Sequence, residues 1–183
     1  MSITLTPVEP HGGDLQELAT FTALNGFPFA PGDRLTIPDT TRLLAEGALD
    51  EPVHVLWWLD DGGRGRVGLL ALEGADGDAP YISLHIEQRH RGHGIGNEAL
   101  KVLVAKVFTD FPRVRRLQGR ASEDHRQIRQ ALARNGFVKE AHFRDTWPVE
   151  QGEPGRATVV YAILRRDWET GVTTPVRFDD LGY

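Results

Sequence analysis

The stretch Ile82-Ser-Leu-His-Ile-Glu-Gln-Arg-His-Arg-Gly-His-Gly-Ile-Gly-Asn97 decides how this chain folds. Its first half alternates: Ile82, Leu84 and Ile86 fall on one face of a strand, while Tyr81, Ser83, His85 and Glu87 fall on the other, a core face against a polar one. Its second half places three glycines between Arg91 and Asn97, and beyond them Leu100, Leu103, Val104, Val107 and Phe108 recur at helical spacing until Phe111-Pro112. Strand, glycine loop and helix follow in that order. A glycine-rich loop entering a helix aims unpaired N–H groups at one point, and the helix dipole adds partial positive charge there. Arg89, His90, Arg91 and His93 crowd the same segment, and charge-assisted bonds to phosphate are about twice as strong as neutral ones. The expected ligand is a pyrophosphate. Two familiar phosphate loops do not fit: Gly96 is followed by Asn97-Glu98 rather than Lys-Ser/Thr, and Asn97 stands where a dinucleotide fingerprint has its third glycine.

Upstream of this segment, Ile3 to Val8 reads as a strand, Asp14 with Glu17 as a capping box opening a helix to about Leu24, and Pro38 to Gly47 as a second helix. The loop between the helices, Asn25-Gly-Phe-Pro-Phe-Ala-Pro-Gly32, carries Phe27 and Phe29, which are candidates for a substrate-pocket wall or for simple core cover. Val53 to Leu59, Arg66 to Leu72 and Tyr81 to Glu87, separated by Gly/Asp turns, predict an antiparallel meander. Downstream come a strand over Arg115 to Ala121, a helix from Asp124 to Asn135 capped by Asp124 with Gln127, and two strands, Phe137 to Trp147 and Ala157 to Leu164. The fold class is α+β: a single domain with a mixed, mostly antiparallel sheet flanked by helices.

The 183 residues, 40% hydrophobic and 26% charged, suit one globular domain and exclude a disordered or collagen-like chain. We place that domain at 1–168 and read 169–183 as a tail, packed on the domain or on a partner subunit of a homodimer, or frayed. The longest apolar run, Val159 to Leu164, is far short of the roughly 20 residues of a membrane span, and no export signal is recognisable, so a cytoplasmic protein without membrane contact is expected. The absence of cysteine removes thiolate chemistry and suits a reducing compartment. A net charge of -5 argues against bulk nucleic-acid binding, and the basic run Arg113, Arg115, Arg116, Arg120 reads as an exposed strand edge. The seven histidines show no paired helical spacing with an acid, so no metal site is expected.

Arg91-Gly-His-Gly-Ile-Gly96 resembles the Arg/Gln-x-x-Gly-x-Gly/Ala motif of the GNAT superfamily of acyl-CoA N-acyltransferases, and Ala133-Arg-Asn-Gly-Phe137 resembles the helix end and Gly-Phe step that follow it there. Arg144, Trp147 and Tyr161-Ala-Ile-Leu-Arg-Arg-Asp-Trp168 look more like the branch of ribosomal-protein N-terminal acetyltransferases. The resemblance implies acetyl-CoA as co-substrate, held by Ile86, Arg91, Gly92, His93, Gly94, Ile95, Gly96, Asn97 and His125. It also implies that a backbone N–H near Ile86 binds the acetyl carbonyl where the strand splays. The acids such families use are absent: the positions of the usual tyrosine and serine are Leu132 and Ile128, with His125 at the asparagine position, which leaves His125, Ser122 or a water.

Direct acetyl transfer to an amine requires a neutral amine, a held carbonyl and an exit for the thiolate. Deprotonation at pH 7 costs about 1 kcal/mol for an α-amine and about 4.6 for a lysine, so an α-amine is the easier substrate, and the acceptor expected is a primary amine of a peptide N-terminus or a small molecule. Glu87 and His85, on the polar face just before the loop, are the candidate bases, acting directly or through a water, with Glu87 preferred, each against the alternative of an ordinary solvated or hydrogen-bonded side chain. His142, Arg144 and Trp147 are the remaining candidates for the acceptor pocket. The rival reading is a catalytically inactive acyl-CoA-binding module.

Overall fold

The computed structural model describes residues 2–25, 35–49, 54–149 and 152–177. In chain order these form β1 (Ile3–Pro7), α1 (Leu15–Asn25), α2 (Ile37–Ala45), β2 (His54–Asp61), β3 (Gly65–Glu73), β4 (Tyr81–Ile86), a 3-10 turn (Gln88–His90), α3 (Ile95–Asp110), β5 (Arg116–Ser122), α4 (Arg126–Arg134), β6 (Val138–Trp147), β7 (Arg156–Leu164) and α5 (Arg165–Thr170). The strands make one seven-stranded sheet ordered β1-β2-β3-β4-β5-β7-β6. Neighbours are antiparallel except β4 and β5, which run parallel, so the mixed, mostly antiparallel α+β domain expected from sequence is the architecture observed.

Strands β2 and β3 carry apolar residues at successive positions rather than alternate ones because both faces are covered. Trp57, Leu59, Leu70 and Leu72 join Leu100, Leu103 and Val107 of α3 in one core. Leu56, Trp58, Leu69 and Ala71 join Leu18 and Ala19 of α1 and Leu44 of α2 in a second core on the opposite face. Arg165 closes the far end of α3, its guanidinium donating to the carbonyls of Phe108, Phe111 and Val114 at 2.5, 2.7 and 2.8 Å, a cation at the negative end of a helix.

The helix entrances differ in part from expectation. At α4 the cap is His125, whose Nδ1 accepts from the N–H of Ile128 at 3.4 Å, while Asp124 faces Arg156 at 3.5 Å. At α1 the Asp14 carbonyl receives the Leu18 N–H, but its carboxylate accepts from the Glu9 N–H at 3.0 Å and, with Glu17, meets Arg66. In both places a cation brought in by another strand competes for the carboxylate. The basic run is also not an edge: β5 lies inside the sheet, Arg116 pairs with Glu140 and Arg115 with Asp78. Helix α5 was not foreseen; it crosses residue 168, and the buried Asp167 accepts from the N–H and hydroxyl of Thr174 at 3.1 and 2.6 Å, holding the first part of the tail.

A Cβ added at Gly68 of β3 would overlap the carbonyl of His85 on β4, whereas one at Gly63 meets nothing within 4 Å. Gly68→Ala is expected to cost about 1–3 kcal/mol of stability through forced strand separation, and Gly63→Ala less than about 0.5. Chemical denaturation of the two variants checks the contrast.

Candidate active site

The site arises where the sheet opens. Only Tyr81 and Ile82 of β4 pair with Gln118 and Gly119 of β5, and beyond them the two strands part. Because Glu87 donates its N–H to Val67 of β3 at 2.9 Å, strand alternation turns the backbone groups of Ile86 and Leu84 toward the gap. Arg91 Nε occupies the Ile86 carbonyl at 2.8 Å, tying the loop to the strand end.

The loop itself is bare. Gly92 and Gly94 have φ of 79° and 80°, a left-handed backbone that favours glycine, and a Cβ at either would meet nothing within 4 Å. Gly94 is the residue before α3. Its carbonyl takes the N–H of Asn97 at 3.1 Å and of Glu98 at 3.4 Å, and Arg91 N–H goes to Gln88. Among the described residues, the N–H groups of Gly92, His93, Gly94, Ile95 and Gly96 donate to no acceptor within the protein. A Cβ at Gly96 would press on Ile86 Cδ1 at 3.3 Å, so glycine there lets the helix entrance lie against the end of β4. Five unspent donors at the start of a sixteen-residue helix form an anion cradle.

A cleft of about 1280 Å³ runs from this cradle through the gap. It brings together His85, Ile86, Arg91, Gly92, Gly94, Ile95, Gly96, Asn97, His125 and Trp147. Ile95 is buried and anchors the helix with its side chain, so its contribution to the cradle is its N–H. Asn97 is held by Asn135, whose side-chain amide donates to the Asn97 carbonyl and Oδ1, both at 3.2 Å. His93 is exposed, with Nδ1 3.4 Å from the His90 carbonyl. Glu87 is not among the described residues bordering the cleft; its carboxylate takes Arg89 at 2.9 Å and lies 3.6 Å from His90 Nε2. His142 and Arg144 do not border it either, and His142 sits 3.3 Å from Glu123. Phe27 and Phe29 lie outside the described residues.

His85 and the acid positions differ in what they offer. Burial, and then the nearby Arg91 charge, lower the His85 pKa to about 4, so its imidazole is neutral at pH 7. Leu132 is buried against Gly119 and provides no donor, and His125 Nδ1 is engaged as the α4 cap. Ser122 is buried, borders the cleft, and its hydroxyl has no partner among the described residues. Tyr81, Glu73, Ser83 and Arg120, which sequence reading did not assign to the site, line the same cleft. Alternation along β3, β4 and β5 marks a common face for them, but nothing local shows that β4 and β5 are neighbours.

Residues 2–138 match the family model described as acetyltransferase (GNAT) domain. No curated protein matches the chain. Among solved structures, it is similar to the spermidine N-acetyltransferase from Vibrio cholerae in complex with CoA and spermine, with a TM-score of 0.74 at 14% identity over 91% of this chain and 98% of that one. A chimera of the Vibrio cholerae spermidine N-acetyltransferase SpeG and hSSAT gives a TM-score of 0.75 at 14% identity over 92% of this chain and 99% of that one. At such identity the likeness speaks for the fold alone. The chain belongs to the GNAT acetyltransferase family and is an acetyl-CoA-dependent N-acetyltransferase.

Proposed function

We propose that this protein moves an acetyl group from acetyl-CoA directly to a primary amine, that of a peptide or protein N-terminus or of a small molecule, without a covalent enzyme intermediate. The observation that carries the reading is the set of unspent amides from Gly92 to Gly96 beside a parted pair of strands. The residues fit coenzyme A: the amides and Arg91 suit its diphosphate, and the open edge of β4 suits its amide-bearing arm as an added strand would. Bound there, the thioester supplies an activated acetyl group. The N–H of Ile86 faces the gap and is suited to an oxyanion, since a backbone donor needs no reordering.

Of the two candidate bases, His85 is the one that borders the cleft. Its neutral imidazole receives the proton of the attacking amine, and an anionic diphosphate at Arg91 offsets the second cause of its lowered pKa. An alkyl thiol has a pKa of about 8.5, so its thiolate leaves at pH 7 with modest help. The likeness of Arg144, Trp147 and the Tyr161–Trp168 ending to ribosomal-protein N-terminal acetyltransferases supports a peptide α-amine, and the solved neighbours are named for spermidine, a small amine. The absence of cysteine suits a reaction in the cytoplasm. An inactive acyl-CoA-binding module shares the cradle and differs in releasing no thiol.

Thiol release from acetyl-CoA with a panel of amines tests the reading: release with at least one amine is expected, and tight coenzyme binding with no release under any amine supports the inactive module. Gly94→Val is expected to weaken coenzyme A binding at least about tenfold while the fold persists, because a β-branched residue resists φ of 80°; calorimetric titration reads this. His85→Gln is expected to lower kcat by about 100-fold and Glu87→Gln by much less. In NMR titration the His85 pKa should rise from about 4 when coenzyme A is added; a pKa unmoved by coenzyme A would remove Arg91 as the link.

A further inference from the structure

The two strands that part at the cleft present a face opposite α3, and its polar groups can be followed residue by residue. Along β5, Leu117 belongs to the core beneath α3 and Gly119 packs on Leu132 of α4, so Gln118, Arg120 and Ser122 point to the other side. Along β4, Ile82, Leu84 and Ile86 face that same core, which leaves Tyr81, Ser83 and His85 on the same side of the sheet as Arg120 and Ser122. The unspent amides lie at the helix entrance, and this second face borders the same cleft from the other side of the sheet.

Among the described residues lining it, this face carries one carboxylate, Glu73, which accepts the Ser83 hydroxyl at 2.8 Å and keeps its charge, and one guanidinium, Arg120. The guanidinium of Arg120 lies 3.7 Å above the ring centre of Tyr81 and, among the described residues, has neither an ion pair nor a hydrogen bond. The Tyr81 ring covers the guanidinium at its centre and leaves its N–H donors unspent among the described residues. Two positions along, the Ser122 hydroxyl is buried and unpartnered in the same cleft. A wall with an oriented free cation and an unspent buried hydroxyl is built to donate.

We propose that the acceptor amine of this enzyme carries a carboxylate, which Arg120, lying over the Tyr81 ring, binds through its N–H donors with Ser122 as a further donor. The inference rests on the transferase reading and adds the acceptor's second functional group. It separates this chain from the polyamine specificity named for its solved neighbours, because an unpaired guanidinium repels a polycation and attracts an amino acid or an acidic peptide end. Arg120 acts here as a specificity residue and is outside the cradle that holds the coenzyme.

The test uses acceptor pairs matched in size: γ-aminobutyrate against γ-aminobutyramide, and a dipeptide amide beginning with aspartate against one beginning with asparagine, with spermidine alongside. Titration onto the coenzyme A-loaded protein reads binding without turnover, and thiol release from acetyl-CoA reads kcat and KM. Expected are at least about tenfold tighter binding of the acid of each pair, poor binding of spermidine, and loss of the preference in Arg120→Ala, where KM for the acids rises about 10- to 100-fold with kcat nearly unchanged. Arg120→Lys should restore part of the preference, and coenzyme A affinity should be the same in all three proteins. Equal binding of acid and amide by the parent protein, or a preference that survives Arg120→Ala, overturns the proposal. Failure of every amine to release thiol while the acids still bind preferentially overturns the transferase reading and leaves the carboxylate site standing.

Discussion

The structure turns on the parting of β4 from β5. Two parallel pairs hold the halves of the sheet together at Tyr81–Gln118 and Ile82–Gly119, and past them each strand keeps its outer partner, β3 or β7, while the inner edges separate. An unpaired strand edge inside a sheet would ordinarily be a defect, since backbone N–H and C=O groups removed from water need partners. Here the gap is open to a cleft, so the backbone groups of Leu84 and the N–H of Ile86 remain available to a ligand. The cores on the two faces make the gap affordable, because β3 and β7 are each fastened along their length to buried apolar layers.

Glycine then decides what the gap can receive. Gly96 lets the entrance of α3 lie against the side chain of Ile86, which brings the helix dipole to the end of the parted strand. Gly92 and Gly94 take a backbone that side chains resist and leave their amides exposed. Arg91 joins the two parts from the other direction by donating to the Ile86 carbonyl. The charge that attracts an anion and the bond that shapes the strand end thus belong to one residue, and the same charge helps keep His85 neutral.

The two faces of the opened sheet have separate electrostatics. Toward α3 the site offers amides and helix dipole, suited to a diphosphate; on the opposite face it offers His85, Ser122 and the stacked Arg120, with Glu73 already engaged. A direct transfer needs two ligands to meet at one point, and a sheet that opens between its faces allows each to bind its own surface and reach the other through the gap.

How much of this was legible follows the range of the forces involved. Residue by residue, the strand at Ile82, the glycine loop and the helix through Phe108 could be read from alternation, backbone freedom and helical period, all of which act over a few neighbouring residues. The same holds for the cradle, because the amides that make it are consecutive in the chain. Sequence did not reveal that Asp124 would leave its cap to Arg156, that Arg120 would lie inside the sheet on Tyr81, or that Glu87 would turn to Arg89 while His85 faced the cleft. Those outcomes depend on which strands become neighbours, and the parallel pairing of β4 with β5 joins segments whose contact no local pattern encodes. Local stereochemistry is written in the order of residues; the partner of a charge or of a strand edge is set only when distant parts of the chain pack together.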